Sequence, residues 1–160
     1  MSTLVDTNIV TRSAQPSHPM YQPAVDAVDL LTRQGEVLCL VPQNIYEFWV
    51  VATRPVALNG LGLSVAEAQA ELATLKQIFT LVHDTPFVLT EWEQLINQYQ
   101  VVGKNAHDAR LIAAMKVHGI KQFLTFNTQD FVRYQGITIL SPFDVLRAPP
   151  APPQSQSQAP

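Results

Sequence analysis

Cys39 is the only cysteine in the 160 residues, which excludes an internal disulfide and any cysteine-based metal cage. Its neighbours Leu38 and Leu40 mark a buried thiol rather than a reactive one. Charge is also scarce: 14% of residues are charged against 47% hydrophobic, the balance of a compact globular protein. No apolar run approaches the roughly 20 residues needed to span a bilayer, so a membrane protein is not expected. The opening MSTLVDTN lacks a basic n-region and a long apolar h-region, and a cytoplasmic location is the default expectation. His18, His83, His107 and His118 are scattered without metal-ligand spacing, and none is given a role, His107 beside Asp108 included. A net charge of −3 makes no electrostatic case for a nucleic-acid partner. The distribution is less even: residues 1–103 hold ten acids and four bases, whereas residues 104–160 hold six bases and three acids. Lys104, Arg110, Lys116 and Lys121 could meet a polyanion, although a solvated helix face is the commoner explanation for such charges.

What is present is an alternation of short apolar runs and helical patterns. Thr3-Leu4-Val5 reads as a buried strand with Asp6 at its C-terminal end, and Asp6-Thr7-Asn8 as turn or cap residues. After a connection over 15–23, a helix follows from Ala24 with Gly35 as its stop signal. VLCLV over 37–41 is a second strand. Pro42 opens a helix that must end by Arg54, because the residue before Pro55 is disfavoured in the α conformation. Ser64 and Glu67 have capping-box spacing for a helix to about Gln77. FTLVH over 79–83 reads as a strand, Thr85-Pro86 opens a helix closing near Gly103, and Asn105 caps the next, which stops at Gly119. Two more strands are expected over 121–125 and 136–140, separated by a turn at 127–130. Such alternation predicts an α/β fold, a three-layer α/β/α sandwich on a parallel sheet, with ligand sites beyond the C-terminal strand ends. The expected domain spans 1–147. The tail 148–160, rich in Pro, Gln and Ser, is expected to be disordered, with no function attached.

The positions that carry chemistry are acids. Asp6 ends the first strand, Glu47 lies mid-helix, Asp108 sits in the first turn of a late helix, and Asn127 and Asp130 follow a later strand. Each has a plain structural reading. Asp6 could be an N-cap, Asp108 could favour a helix dipole, and Asp130 could be a turn acid. Glu47 resists one. Between Leu40 and Arg54 it is the sole charge, among Ile45, Tyr46, Phe48, Trp49, Val50 and Val51, and an unpaired carboxylate in apolar surroundings costs several kcal/mol. Either a base such as Arg54, two turns away, or a cation shared with other acids would satisfy it. Oxygen-only ligands suit Mg²⁺ or Mn²⁺ rather than zinc.

Val5-Asp6-Thr7-Asn8, Glu47 in the helix after the second strand, Asn105-Ala106-His107-Asp108-Ala109-Arg110-Leu111-Ile112-Ala113, and Thr125-Phe126-Asn127-Thr128-Gln129-Asp130-Phe131 together resemble the PIN domain. In order and spacing they are similar to its VapC-type ribonuclease toxins. The resemblance covers about residues 3–146. It implies that Asp6, Glu47 and Asp108 hold Mg²⁺ or Mn²⁺ and activate water for RNA phosphodiester cleavage, leaving a 5′-phosphate and a 3′-hydroxyl. Thr7 and Asn8 would orient Asp6, and Thr125 would hydrogen-bond a metal ligand or its water. The family's fourth polar position falls on Asn127, a neutral amide and the main departure from the pattern, with Asp130 as the acid that could replace it through water. Implied partners are RNA, a cognate antitoxin whose C-terminal segment fills the acidic groove, and a second copy in a homodimer, for which Tyr46 and Trp49 could supply surface. Two alternatives stand beside this. A PIN-like module that only binds RNA or protein would have no use for three clustered acids, and a haloacid-dehalogenase-type phosphatase needs an acid at position 8, where Asn8 stands.

Overall fold

The computed structural model describes residues 1–148. The expected tail therefore lies outside the described residues, apart from Ala148. Five strands, β1 (Ser2–Val5), β2 (Val37–Leu40), β3 (Thr80–Leu81), β4 (Gln122–Leu124) and β5 (Thr138–Leu140), form a sheet in the order β3-β2-β1-β4-β5. All pairings are parallel, with Leu4 opposite both Cys39 and Phe123. Helices α1 (Thr7–Ser13), α2 (Tyr21–Arg33), α3 (Pro42–Thr53), α4 (Val65–Ile78), α5 (Pro86–Gln98), α6 (Asn105–Val117) and α7 (Pro142–Arg147) connect and cover it.

Strand residues alternate between two cores, as the period of two requires. Leu4, Cys39 and Phe123 face one core, shared with Val88 and Leu95 of α5 and Leu111, Ile112 and Met115 of α6. Val5, Leu38, Leu40 and Leu124 face the other, with residues of α1, α2, α3, α4 and α7. Burial on both faces explains why the central strands read as continuous apolar runs. The three-layer expectation holds.

Local signals set most boundaries. The Ser64 capping box closes reciprocally, Ser64 N–H donating to Glu67 Oε2 (2.7 Å) and Glu67 N–H to Ser64 Oγ (3.2 Å). In α3, Pro42 occupies the first turn and Val41 N–H donates to Asn44 Oδ1 (2.8 Å). Past Arg54 the chain turns back: Gly60 packs where a side chain would strike the Arg54 carbonyl. There Leu61, Gly62 and Leu63 N–H donate to the carbonyls of Val51, Arg54 and Ala52, satisfying the open end of α3.

Four expectations need correction. Residues 7–13 form α1, because Asp6 takes an extended backbone and stands at the N-cap position without its side chain capping. Helix α2 starts at Tyr21, which places Pro23 in the first turn, where a missing N–H costs nothing. Helix α5 ends at Gln98, and Gln100 with φ 51° carries the chain away well before Gly103. Asn105 is the first residue of α6 rather than its cap; Lys104 holds that position in a helical conformation.

Strand β1 is where the chain reverses its direction of travel across the sheet. From β1 it goes out to β2 and β3, then returns past β1 to β4 and β5. The crevice beyond the C-terminal ends of β1 and β4 is the position such sheets offer to ligands.

Candidate active site

Asp6 leaves β1 into that crevice, tied to the neighbouring strand by its N–H donating to Leu124 O (2.9 Å). Its carboxylate is nearly enclosed, with the residue 8% exposed. Two donors converge on Oδ2, the Thr125 hydroxyl (2.6 Å) and the Asn8 amide (3.0 Å). Asn8 Nδ2 also reaches Thr125 Oγ1 (3.1 Å), and Phe126 N–H donates to Asn8 Oδ1 (3.3 Å). The start of α1 and the end of β4 are thus laced around one carboxylate. Burial pushes the Asp6 carboxyl up to about 6; the Thr125 hydrogen bond opposes this, and the nearby charges of Glu47 and Asp108 add to it.

Glu47 reaches the same crevice from α3. It is half-buried, and its partners are neutral: Thr7 Oγ1 donates to Oε2 (2.6 Å) and Gln43 Nε2 to Oε1 (2.8 Å). No ion pair to Arg54 forms among the described residues. Its apolar neighbours in sequence are sorted by the helix: Phe48 is buried, Trp49 is half-buried, and Tyr46 and Val50 are more than half exposed. The Thr7 expectation changes accordingly. Its hydroxyl orients Glu47 and accepts from Asn44 Nδ2 (3.2 Å), while its backbone N–H is the group that hydrogen-bonds Asp6.

Asp108 enters from the first turn of α6, half-buried. Burial raises its pKa, the charges of Asp130 and Glu47 raise it further, and His107 and Lys104 pull it back. Asn127 and Asp130 belong to the 3₁₀ turn after β4 and are exposed; Asn127 joins the network through its backbone N–H, which donates to Thr125 Oγ1 (3.0 Å).

One groove of about 570 Å³ collects Asp6, Thr7, Asn8, Glu47, Asp108, Asn127 and Asp130. Thr125 supports it from beneath, fully buried. The four acids, Thr7, Asn8, Thr125 and Asn127 therefore lie in or against one groove, whereas Lys104, Arg110, Lys116, Lys121 and Trp49 do not line it. Sequence reasoning did not find Gln43, whose place one helical turn before Glu47 is the signal that was available. It also missed Arg12 and Asn59, which line the groove with Arg54, Tyr46 and Val50.

Carboxylates that raise one another's pKa values favour a bound cation. The oxygen donors suit a hard divalent ion, and Asp6, Glu47 and Asp108 would hold it. Among the described residues no three acid, His or Cys side chains are arranged to grip one ion simultaneously.

Residues 3–137 match the PIN domain, and the chain belongs to that family. Among solved structures it is similar to VapBC2 from Rickettsia felis bound to a promoter DNA fragment, with 12% identity and a TM-score of 0.69 over 88% of this chain and 98% of that one. A toxin–antitoxin complex from Klebsiella pneumoniae gives 17% identity and a TM-score of 0.61 over 88% and 97%. VapC20 of Mycobacterium tuberculosis, a toxin that cleaves the sarcin–ricin loop, gives 17% and 0.59 over 80% and 92%. No curated protein matches the chain by sequence.

Proposed function

We propose that this protein is a divalent-metal-dependent endoribonuclease that hydrolyses RNA phosphodiester bonds, and that it is the toxin of a type II toxin–antitoxin pair. The observation that carries this reading is the convergence of Asp6, Glu47 and Asp108, from three distant segments, on the crevice at the sheet's switch point. Asp6, Glu47 and Asp108 hold Mg²⁺ or Mn²⁺. When bound, such an ion supplies Lewis-acid polarisation of the phosphate, a more acidic water and compensation for charge on the leaving oxygen. Thr125 and Asn8 hold the Asp6 carboxylate, and Thr7 holds that of Glu47. Asp130, exposed at the rim, completes the acidic set through water where Asn127 supplies only an amide. Cleavage leaves a 5′-phosphate and a 3′-hydroxyl.

The relatives that bear the words toxin and antitoxin support an antitoxin partner here. A segment entering the groove would meet exposed Tyr46 and Val50 on its rim before reaching the acids. In this reading the protein acts in the cytoplasm as a homodimer.

The test is cleavage of end-labelled RNA by the purified chain with Mg²⁺ or Mn²⁺, and with chelator. Metal-dependent cutting that Asp108→Asn abolishes, with circular dichroism unchanged, is expected. One observation favours a second reading, a PIN module that binds without cutting: the acids do not close on a single ion. Failure of Mg²⁺ and Mn²⁺ to change either melting temperature or RNA integrity would select it.

A further inference from the structure

We propose that Gln43 is a positioning residue, which fixes the Glu47 carboxylate and sets the spacing between Glu47 and Asp108. The inference rests on reading these acids as the metal site. Gln43 is 7% exposed, and all its polar contacts are directional. Its Nε2 donates to Glu47 Oε1 (2.8 Å) and to the His107 carbonyl (2.9 Å), while its Oε1 accepts from Arg110 Nη1 (3.2 Å). Arg110 is in turn held by Asp84, Nη2 to Oδ2 at 2.7 Å.

The orientation of the amide follows from these partners. A guanidinium only donates, and a carboxylate and a carbonyl only accept. With Arg110 on one side, the amide oxygen must face it, and the NH₂ group must face Glu47 and His107. A flipped amide would set its oxygen against the Glu47 carboxylate and the His107 carbonyl and its N–H groups against Arg110. Asp84 and Arg110 therefore select the rotamer in which Gln43 holds Glu47.

Both Glu47 oxygens are then engaged, Oε2 by Thr7 and Oε1 by Gln43. The second Gln43 contact matters as much. Helices α3 and α6 lie on opposite faces of the sheet, and His107, whose carbonyl Gln43 grips, directly precedes Asp108. One side chain thus spans the two layers at the edge where their acids must meet one ion. This is the role outer hydrogen bonds play for metal ligands, whose loss reduces metal affinity or activity by roughly 10–100-fold.

The experiment uses the full chain, with Mn²⁺ alone as the binding probe, followed by the electron paramagnetic resonance of free Mn²⁺, and with RNA cleavage measured in parallel. Gln43→Met keeps the length and removes the amide. It is expected to weaken Mn²⁺ binding by about 10–100-fold and to lower kcat while KM for RNA stays within about 3-fold. Adding it to Glu47→Gln should cost clearly less than the product of the two single effects, because much of what Gln43 does passes through Glu47. Val145→Ala, a core truncation in α7, should lower the melting temperature yet leave Mn²⁺ binding in place. Should Gln43→Met fail to fold, Arg110→Met leaves the amide oxygen without its donor, loosens the amide, and should weaken Mn²⁺ binding by a smaller factor. Wild-type Mn²⁺ affinity in Gln43→Met, or in Arg110→Met where Gln43→Met does not fold, or effects of Gln43→Met and Glu47→Gln that simply multiply, would overturn the proposal. A wild-type chain that cleaves RNA beside an unaffected Gln43→Met sinks only the positioning role. Mn²⁺ binding without RNA cleavage sinks only the nuclease reading, and no Mn²⁺ binding at all sinks both.

Discussion

The two walls of the groove are built differently. On the wall formed by β1, α1 and α3, Asp6 and Glu47 are each gripped by two side-chain donors. On the wall after β4, Asn127 and Asp130 stand exposed on a short 3₁₀ turn. The first wall holds its carboxylates in place by hydrogen bonds, and the second leaves its polar side chains open to solvent. Preorganisation also has a cost in the free protein, since an enclosed carboxylate with a pKa of about 6 is ionised at neutral pH against its surroundings.

The sharpest break of this comparison is Asp6→Asn. Cleavage should fall on the order of 10³-fold or more, the scale of several kcal/mol of charge stabilisation. The metal-free protein should at the same time gain up to about 3 kcal/mol at pH 7, which a urea titration reads directly. The next effect is on pH. The Asp6 pKa in the fold, about 6, lies above the ordinary 3.8, so the fold favours the protonated form. The stability this contributes is fully present below pH 3.8, falls as pH rises, and is gone above about pH 6. In chelator, wild type should therefore lose about 3 kcal/mol relative to Asp6→Asn between pH 3 and pH 7, and added Mn²⁺ should restore most of it. Parallel pH profiles for the two proteins would contradict the burial argument.

Thr7→Val should rank third. It removes one grip on Glu47 and the acceptor of Asn44, so activity should drop by about 10–100-fold and stability by about 1–2 kcal/mol. Asp130→Asn should be mildest, below about 10-fold in rate, as expected of an exposed charge. Because Asp130 helps to raise the Asp108 pKa, its loss should move the acid limb of the pH–rate profile to lower pH. A loss from Asp130→Asn as deep as that from Asp6→Asn would erase the distinction between the walls.

Strands, crossover helices and the acids were legible because each leaves a local mark: a short apolar run, a Pro at a helix start, a charge where none is expected. Helix α1 was not, since Asp6-Thr7-Asn8 reads as a turn until the sheet edge fixes the Asp6 backbone and frees its side chain for the groove. The partners of Glu47 were equally hidden. Thr7 is 40 residues away in sequence, and nothing local distinguishes a hydroxyl that orients its neighbouring acid from one that reaches across to α3. Gln43 carried a faint mark, one turn before Glu47, but its meaning depends on Arg110, 67 residues on.

The pairing of β1 with β4 has a consequence for the order of synthesis. Asp6 is among the first residues made, yet its hydroxyl partner, Thr125, follows 119 residues later. At about 5–20 residues per second, translation takes roughly 6–24 s to cover that interval. For most of it the acids of the N-terminal half lack Asp108, and for all of it they lack Thr125 at the end of β4. If the proposed nuclease reading holds, a nascent chain stays inactive until α6 and β4 have been made and have joined the first acids.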